Sequence, residues 1–304
     1  MKTISISVIT YNEEENILPL YEALREQLAA LAGRYRYEIV FIDNQSRDST
    51  REKLLQLCQQ DACVKAIFNA RNVGAANSQY YGMMQTRGDC TVVMNADFQD
   101  PPALLPRMVE AWEQGHKVVC MVKTASEESA LLRLVRTVYY RALRILSETE
   151  IIEHYTGFGL YDKSFIELLR GLDEPEPFLR GLVTQLAPGR VTIPYAQPRR
   201  RAGKSSHSFF SLYGLAMRGM TAHTKAGLRL AAFSGLAVCA ASFIAAIVCL
   251  FAWREALPAL GLFFLGGVQL FFLGMLGEFV VDIQRRSMKR PLVIEERRVN
   301  FGEE

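Results

Sequence analysis

The sequence predicts an α/β fold with an open, mostly parallel sheet, followed by a C-terminal segment that associates with a membrane. Short β-branched runs alternate with helical patterns between Ile4 and Val122, as in parallel sheets that carry helices on both faces. Polar clusters follow three of the predicted strands, and two long stretches near the end of the chain have no charged residue. These three observations define the expected architecture.

The first part of the chain is expected to form five strands with helices between them. The strands are Ile4 to Thr10, Tyr37 to Asp43, Val64 to Asn69, Cys90 to Asn95 and Lys117 to Val122. The helices begin at about Glu14 and Ser49, and span about Gly74 to Arg87 and Pro101 to Gln114. Further elements are a long helix from Glu127 to about Ser147, a loop at His154 to Gly159, a helix near Asp162 to Leu169 and a Pro-bearing segment at Val191 to Pro198. The charged tail from Glu295 is expected to be disordered.

The polar clusters at the strand ends indicate a ligand site. They are Thr10 to Glu15, Asp43 to Thr50 and Asn95 to Asp100. Ligands of open parallel sheets bind outside the carboxyl ends of the strands, so these clusters are expected to converge on one crevice.

The run from Asn95 to Pro102 combines acidic and amide groups at the end of an apolar strand. Oxygen ligands spaced two residues apart can share one hard divalent cation, which can hold a nucleotide diphosphate as it leaves. The alternative is a polar turn followed by a helix that starts at the two prolines.

The other strand ends offer further candidates. The Asp43 carboxylate can accept hydrogen bonds from a nucleobase imide or a ribose hydroxyl, or it can form an Asx turn without a ligand. Tyr11 and Glu13 offer an aromatic face and a carboxylate to the same crevice. Arg71 either balances phosphate charge or is a solvated side chain beside a helix N-terminus.

Two apolar stretches, Leu230 to Ala252 and Ala256 to Gly277, each have the length of a bilayer-spanning helix. The alternative is a buried helical hairpin of a soluble domain. The preceding segment, Phe209 to Ala226, is typical of an interfacial helix. Basic residues flank the pair of stretches, whereas Arg254 beside Glu255 is the basic residue of the turn between them, so both termini and the large domain are expected in the cytoplasm.

A basic loop precedes the interfacial segment and contains Arg199, Arg200, Arg201, Lys204 and Ser205. Such a loop can hold a phosphate by charge and bidentate hydrogen bonds, or it can tether the domain to anionic lipid. The net charge of +3 is mild and basic residues crowd toward the apolar stretches, which favours lipid or phosphate over nucleic acid. The six cysteines lack the spacing of a metal site and are expected to be reduced.

With these features in this order, the chain resembles, over nearly its whole length, the family 2 glycosyltransferases that act on polyprenyl phosphates. These include bactoprenol glucosyltransferases and dolichol-phosphate mannose synthases. The matching motifs are Thr10 to Glu14, Asp43 to Thr50, Arg71 to Gly74, Asn95 to Pro102, Arg200 with Gly203 and Ser205, and Leu276 to Phe279. The resemblance implies a GT-A (Rossmann-like) fold, a nucleotide-sugar donor, Mg2+ or Mn2+, and inverting transfer onto a lipid phosphate at the cytoplasmic face of the bacterial inner membrane. It also implies self-association, without a fixed number of subunits.

The resemblance assigns roles residue by residue. Binding of the nucleotide-sugar falls to Thr10, Tyr11, Glu13, Asp43, Arg71 and Asp97, metal coordination to Asp97, Gln99 and Asn95, and binding of the lipid phosphate to Arg199, Arg200, Arg201, Lys204 and Ser205. Asp97 and Arg200 would be catalytic. Asn95 replaces the family's usual aspartate, Ser206 stands where a lysine is usual, and the segment Thr156 to Asp162 lacks the Asp and Arg of the Gly-Asp-Phe-Arg sequence found in many relatives.

The expected organisation is a GT-A domain (residues 1–206), an interfacial helix (207–228), a two-helix transmembrane hairpin (229–281) and a cytoplasmic tail (282–304). The expected reaction is transfer from a UDP-sugar to undecaprenyl phosphate. A degenerate relative that only binds polyprenyl phosphate, as a scaffold for a partner enzyme, is the alternative. The sequence leaves the sugar open, and it leaves the base open because a strand-end carboxylate serves uracil and guanine alike.

Overall fold

The computed structural model describes residues 1–125, 152, 154–172, 174, 177–198, 200–201, 257–287 and 291–302. The chain divides into two units, and the described residues of the second are the helix Leu257–Ser287. The long helix predicted after Glu127, the interfacial segment Phe209 to Ala226 and the apolar stretch Leu230 to Ala252 lie outside the described residues.

The first unit is built on one eight-stranded sheet with the order β7-β5-β6-β4-β1-β2-β3-β8. Its strands are β1 (Lys2–Thr10), β2 (Tyr35–Asp43), β3 (Val64–Asn69), β4 (Cys90–Asn95), β5 (Val118–Ala125), β6 (Tyr155–Asp162), β7 (Val191–Ala196) and β8 (Glu295–Val299). Neighbouring strands run parallel in β4-β1-β2-β3 and in β5-β7, and antiparallel in β3-β8, β4-β6 and β5-β6. The predicted parallel centre is confirmed, within a sheet that is mixed at both sides.

Helices cover both faces of this sheet, as expected. They are α1 (Ile17–Ala29), α2 (Thr50–Gln60), α3 (Ala75–Gln85), α4 (Leu105–Glu113), α5 (Lys163–Arg170) and α6 (Leu179–Leu186), and a 3-10 turn, Pro102–Leu104, precedes α4. The helix of the second unit, Leu257–Ser287, is α7. On one face α1 buries Ile17, Leu20 and Leu24, at the three- and four-residue spacing of a helix stripe, in the apolar cluster that also contains Ile6 of β1. On the other face Tyr80 of α3 packs with Phe165 of α5.

The central strands are buried on both faces: β4 has the nearly continuous apolar sequence that such burial favours, whereas β1 buries Ser5 and Ser7 between its apolar residues. Ile4, Ile6 and Val8 of β1 are fully buried, and so is most of the run that forms β4. This double burial places the ends of β1, β2 and β4 at one rigid edge of the sheet.

The loop predicted at His154 to Gly159 is wrong, because all of these residues except His154 belong to strand β6, which lies between β4 and β5. Its glycines are typical of loops, but Gly159 is required by a close backbone approach: a Cβ at this position would collide with the Val119 carbonyl oxygen. The Pro-bearing segment at Val191 to Pro198 includes β7, and Pro194 is tolerated there because β7 is an edge strand.

The prediction of a disordered tail from Glu295 is also wrong. Residues Glu295–Val299 form β8, which pairs antiparallel with β3 at the other edge of the sheet. Charged side chains are common on edge strands, where they discourage further strand pairing. Strand β8 therefore belongs to the first unit.

Helix α7 contains most of the second apolar stretch and displays several large apolar side chains. Leu262 is 72% exposed and Leu273 is 64% exposed. Within the part of the chain that the structure describes, no helix combines the length and hydropathy of a membrane span.

Candidate active site

The three polar clusters meet at the carboxyl edge of the parallel strands. Thr10 at the end of β1 is in register with Asp43 at the end of β2, and Ile9 is in register with Asn95 at the end of β4. The backbone N–H of Asn44 donates to the Thr10 carbonyl, which ties the first two clusters together. The expected convergence on one edge is therefore observed.

Arg200 joins two buried carboxylates at this edge. Its Nη2 lies 2.8 Å from Asp97 Oδ2, and its Nη1 lies 3.6 Å from Glu13 Oε1. Burial raises the pKa of Glu13 above its ordinary value, while a hydrogen bond from Asn16 and the charge of Arg200 oppose that rise. The guanidinium thus balances acidic groups that follow β1 and β4.

The turn after Asp97 has an unusual backbone. Phe98 adopts a left-handed conformation with φ of 62°, and the Gln99 N–H donates to Asp97 Oδ1 at 3.1 Å. The Arg201 guanidinium lies 5.1 Å from the centre of the Phe98 ring, and the backbone N–H of Arg201 donates to the Asp97 carbonyl. A strained backbone at a strand end is typical of functional sites, and no sequence pattern singled out Phe98.

Asp100 lies beneath this turn and orients Asn95. Its Oδ2 accepts from Asn95 Nδ2 at 2.8 Å, and its Oδ1 accepts from the Tyr195 hydroxyl at 3.3 Å. Burial, together with the negative charge of Asp97, raises the pKa of Asp100 to about 6. The sequence included Asp100 in a polar cluster but did not identify this supporting role, and Tyr195 was missed because it lies far away in the chain.

The predicted metal ligands provide oxygen atoms of the kind that hard cations prefer. Asp97 contributes a carboxylate, while Gln99 and Asn95 contribute amide oxygens, and the Asn95 amide nitrogen is already committed to Asp100. No group of three or more His, Cys, Asp or Glu side chains with metal-site geometry occurs among the described residues. The donor atoms of these three residues are nonetheless of the kind that suits a hard divalent cation such as Mg2+ or Mn2+.

Asp43 is fully buried and already has protein partners. Its Oδ2 accepts from Arg51 Nε at 2.7 Å, and both of its oxygens accept from the Ser46 N–H, as in the Asx turn considered above. Ser46 Oγ in turn accepts from the Asn12 N–H at 2.9 Å. Asp43 therefore fixes the turn that joins the first two clusters, and sequence reasoning missed Arg51.

The remaining predicted residues are placed differently. Thr10 is buried and donates from Oγ1 to the Ile42 carbonyl, Tyr11 is half-buried after β1, and Arg71 is exposed after β3. Beside Arg71, Asn72 Oδ1 accepts from Asn44 Nδ2 at 2.8 Å, so Asn72 links the third strand end to the site. Arg199, Lys204 and Ser205 lie outside the described residues.

Comparison with known proteins agrees with this geometry. Residues 5–169 match the family model of glycosyl transferase family 2. An uncharacterized glycosyltransferase of Bacillus subtilis, YkcC, is 30% identical and the match covers 95% of this chain and 92% of the relative. The bactoprenol glucosyl transferase of Shigella phage SfX is 29% identical, with 95% of this chain and 97% of the relative covered.

Among solved structures, glucosyl-3-phosphoglycerate synthase from Mycobacterium tuberculosis is similar with a TM-score of 0.47 and 15% sequence identity. The similarity covers 72% of this chain and 78% of that protein, which was crystallised with Mn2+, UDP-glucose and glycerol 3-phosphate. The family match spans more than half of the chain, and the relatives extend it over nearly the full length. The chain is a glycosyltransferase and belongs to glycosyl transferase family 2.

Proposed function

We propose that this glycosyltransferase transfers a sugar from a UDP-sugar to undecaprenyl phosphate, or a closely related polyprenyl phosphate, with the aid of a divalent cation. The observation that carries the proposal is the contact between Arg200 and Asp97. It joins the start of the basic segment to the strand ends where nucleotide ligands bind. The near full-length similarity to proteins named bactoprenol glucosyl transferase supports the acceptor.

The donor half of the proposed site is the edge formed by β1, β2 and β4. Glu13 and Asp97 follow β1 and β4, and Asp43 ends β2, so the nucleoside and the diphosphate have polar partners along one edge of about three strands. Adjacent strands lie roughly 5 Å apart, so this edge matches the length of a nucleotide diphosphate. Among the described residues, Asp43 Oδ1 accepts the Ser46 N–H at 3.3 Å, and this oxygen keeps capacity for a ligand hydroxyl or imide that donates to it.

Asp97, Gln99 and Asn95 would hold Mg2+ or Mn2+ together with the diphosphate oxygens. When bound, the cation would neutralise charge on the leaving diphosphate. Asp97 would then serve two positive partners, the cation and Arg200, and its rigid turn would keep its carboxylate in place.

The acceptor half is the basic loop that contains Arg200. A lipid phosphate needs little help from a general base, because its attacking oxygen is already ionised near neutral pH. The task of the protein is therefore to hold two anionic substrates in line and to exclude water. Arg200 is suited to this, since its fork of donors can contact Asp97 on one side and a phosphate on the other.

We place the enzyme in the bacterial inner membrane with its catalytic unit and both termini in the cytoplasm. Support comes from the charge-free stretches Leu230 to Ala252 and Ala256 to Gly277 and from the basic residues that flank them. The exposed apolar side chains of α7, among them Leu262 and Leu273, add a surface that water disfavours and that lipid would cover.

The test is transfer of labelled sugar from a panel of UDP- and GDP-sugars to undecaprenyl phosphate by the purified full-length protein, with Mg2+, Mn2+ or EDTA. We expect a lipid-linked product from one UDP-sugar, which EDTA abolishes. Transfer that is indifferent to EDTA would contradict the metal role. Donor binding without any transfer would instead favour a lipid-phosphate-binding scaffold.

A further inference from the structure

We propose that Arg51 is a positioning residue for Asp43, and that the C-terminal strand β8 sets Arg51 through Glu296. The inference rests on the proposed function, in which Asp43 contacts the nucleoside of the donor. It assigns a role in donor binding to a tail residue that lies 253 positions from Asp43 in the sequence.

Arg51 is held by three separate acceptors. Its Nε donates to Asp43 Oδ2 at 2.7 Å, its Nη1 donates to Glu296 Oε2 at 3.0 Å and its Nη2 donates to the Asn69 carbonyl at 3.0 Å. The flat face of the guanidinium lies 5.5 Å from the centre of the Phe68 ring. Because a guanidinium is planar, fixing each of its three nitrogens also fixes the direction from which it reaches Asp43.

Because Arg51 is held in this way, the two carboxylate oxygens of Asp43 have different hydrogen-bond partners. Oδ2 accepts the charged Arg51 donor and the Ser46 N–H at 3.1 Å, while Oδ1 accepts only a longer bond of 3.3 Å from the same N–H. A carboxylate that Arg51 does not hold could rotate and offer either oxygen. With Arg51 in place, Oδ1 is the oxygen with acceptor capacity for a ligand.

A bulge near the start of β8 places Glu296 beside Arg51. Phe68 pairs with Arg297 and the next residue, Asn69, pairs with Glu295, so Glu296 is an extra residue without a partner on β3. Such a bulge redirects a side chain that regular pairing would place elsewhere. Here the redirected carboxylate meets Arg51.

Strand β8 is anchored on both sides of this bulge. Asn300 Nδ2 donates to the Cys58 carbonyl at 2.6 Å and to the Val64 carbonyl at 2.8 Å. Glu295 accepts from the Tyr81 hydroxyl and from Arg298. The position of Glu296 is therefore fixed by contacts that do not involve the candidate site.

The ion pair between Arg51 and Glu296 is poorly placed to contribute much to stability. The Glu296 side chain is 56% exposed and the Arg51 side chain is 24% exposed, and ion pairs in such surroundings add little to the free energy of folding. Removing Glu296 should thus leave the fold intact and change the orientation of Arg51, which distinguishes positioning from a structural role.

The experiment measures binding of UDP and of UDP-glucose to full-length protein in lipid nanodiscs with Mg2+, by calorimetry. We expect Glu296→Gln to weaken binding about three-fold and Arg51→Gln about ten-fold. The double variant should bind no more weakly than Arg51→Gln alone, because Glu296 acts through Arg51. The matched control, Glu52→Gln, removes an exposed carboxylate beside Arg51 on α2 and should bind like the wild type.

Two readouts separate this role from a loss of folding. The unfolding temperature of Glu296→Gln should equal that of the wild type, and its kcat at saturating donor should be unchanged while the donor KM rises. Wild-type affinity in Glu296→Gln, or additive losses in the double variant, would overturn the inference and leave the proposed function intact. Failure of the wild type to bind either UDP or UDP-glucose would overturn both.

Discussion

Arg200 Nη2 lies 2.8 Å from Asp97 Oδ2. Arg200 follows β7 and Asp97 follows β4, so the ion pair joins the segments after these two strands. The same guanidinium lies 3.6 Å from Glu13, which follows β1. Two buried carboxylates in one place would repel each other, and a shared arginine offsets that cost. The pairing therefore brings three distant parts of the chain to one point of the site.

Asp97→Asn should lower transfer by roughly 100- to 1,000-fold, the usual range when one preorganised electrostatic partner of a reaction is removed. The variant keeps the shape of the side chain but removes the charge that would hold both a cation and Arg200. The measurement is kcat for labelled-sugar transfer with saturating Mg2+.

The control for this variant is Asp89→Asn. Asp89 comes just before β4, at the opposite end of the same strand, and its carboxylate accepts from the Thr3 N–H. We expect this variant to keep most of the wild-type activity. Wild-type turnover in Asp97→Asn would rule out the role assigned to that carboxylate.

Neighbouring arginines offer a second test. Arg200→Gln should reduce kcat/KM for polyprenyl phosphate roughly 30- to 100-fold, because it removes a charge-assisted contact and leaves Asp97 and Glu13 uncompensated. Arg201→Gln should cost only about three-fold, since its guanidinium lies over Phe98 and makes no ion pair with these carboxylates. Both are measured by varying the lipid acceptor, and equal losses would contradict the distinction.

The parallel centre of the sheet and the strand ends were predictable because their signals are local. A buried strand such as β4 has an apolar sequence, and the polar residue that follows it marks its end. Asp97, Glu13 and Asp43 could be identified from position alone. The neighbours that hold them, Arg51 and Tyr195, could not, since these contacts depend on how distant segments pack.

The two errors in the fold have the same origin. Gly157 and Gly159 make β6 look like a loop, and the reason that it is a strand lies across the sheet in the Val119 carbonyl. Strand β8 is mostly charged and has no apolar alternation, so only its pairing with β3 defines it. Local sequence patterns contain neither kind of information.

The two glycines of β6 should differ in their tolerance of alanine. Gly159→Ala places a methyl group against the Val119 backbone, which cannot move without breaking the ladder, and should destabilise the protein by about 3 kcal/mol. Gly157→Ala meets the end of the Gln79 side chain, which can rotate away, but it keeps a left-handed φ of 97° and should cost about 1–2 kcal/mol. Thermal unfolding followed by tryptophan fluorescence measures both.

Gly189→Ala serves as the control for these two variants. Nothing lies within 4 Å of a Cβ at Gly189, and its backbone is not left-handed. The unfolding temperature should be close to that of the wild type. A larger loss for Gly157→Ala than for Gly159→Ala would contradict the argument from backbone contact.

Glu38 gives a pH-dependent prediction for the opposite end of the sheet. Burial alone would raise its pKa, but hydrogen bonds from the Arg87 N–H, the Lys65 ammonium and the Ser5 hydroxyl hold its pKa below the ordinary value. A lowered carboxyl pKa stabilises the folded state above the unfolded pKa, and this stabilisation is lost as the pH falls through the folded value.

Glu38→Gln should therefore lower the free energy of unfolding by about 2 kcal/mol at pH 7.5, the usual size for hydrogen bonds to a charged group. The difference from the wild type should shrink below about pH 4.5, where the unfolded carboxyl takes up a proton before the folded one does. Unfolding temperatures of both proteins between pH 3.5 and 8 measure the trend. The control is Glu22→Gln, an exposed change on α1, whose unfolding temperature should equal that of the wild type at every pH. A difference in unfolding temperature between Glu38→Gln and the wild type that stays constant with pH would show that the charge of Glu38 does not stabilise this end of the sheet.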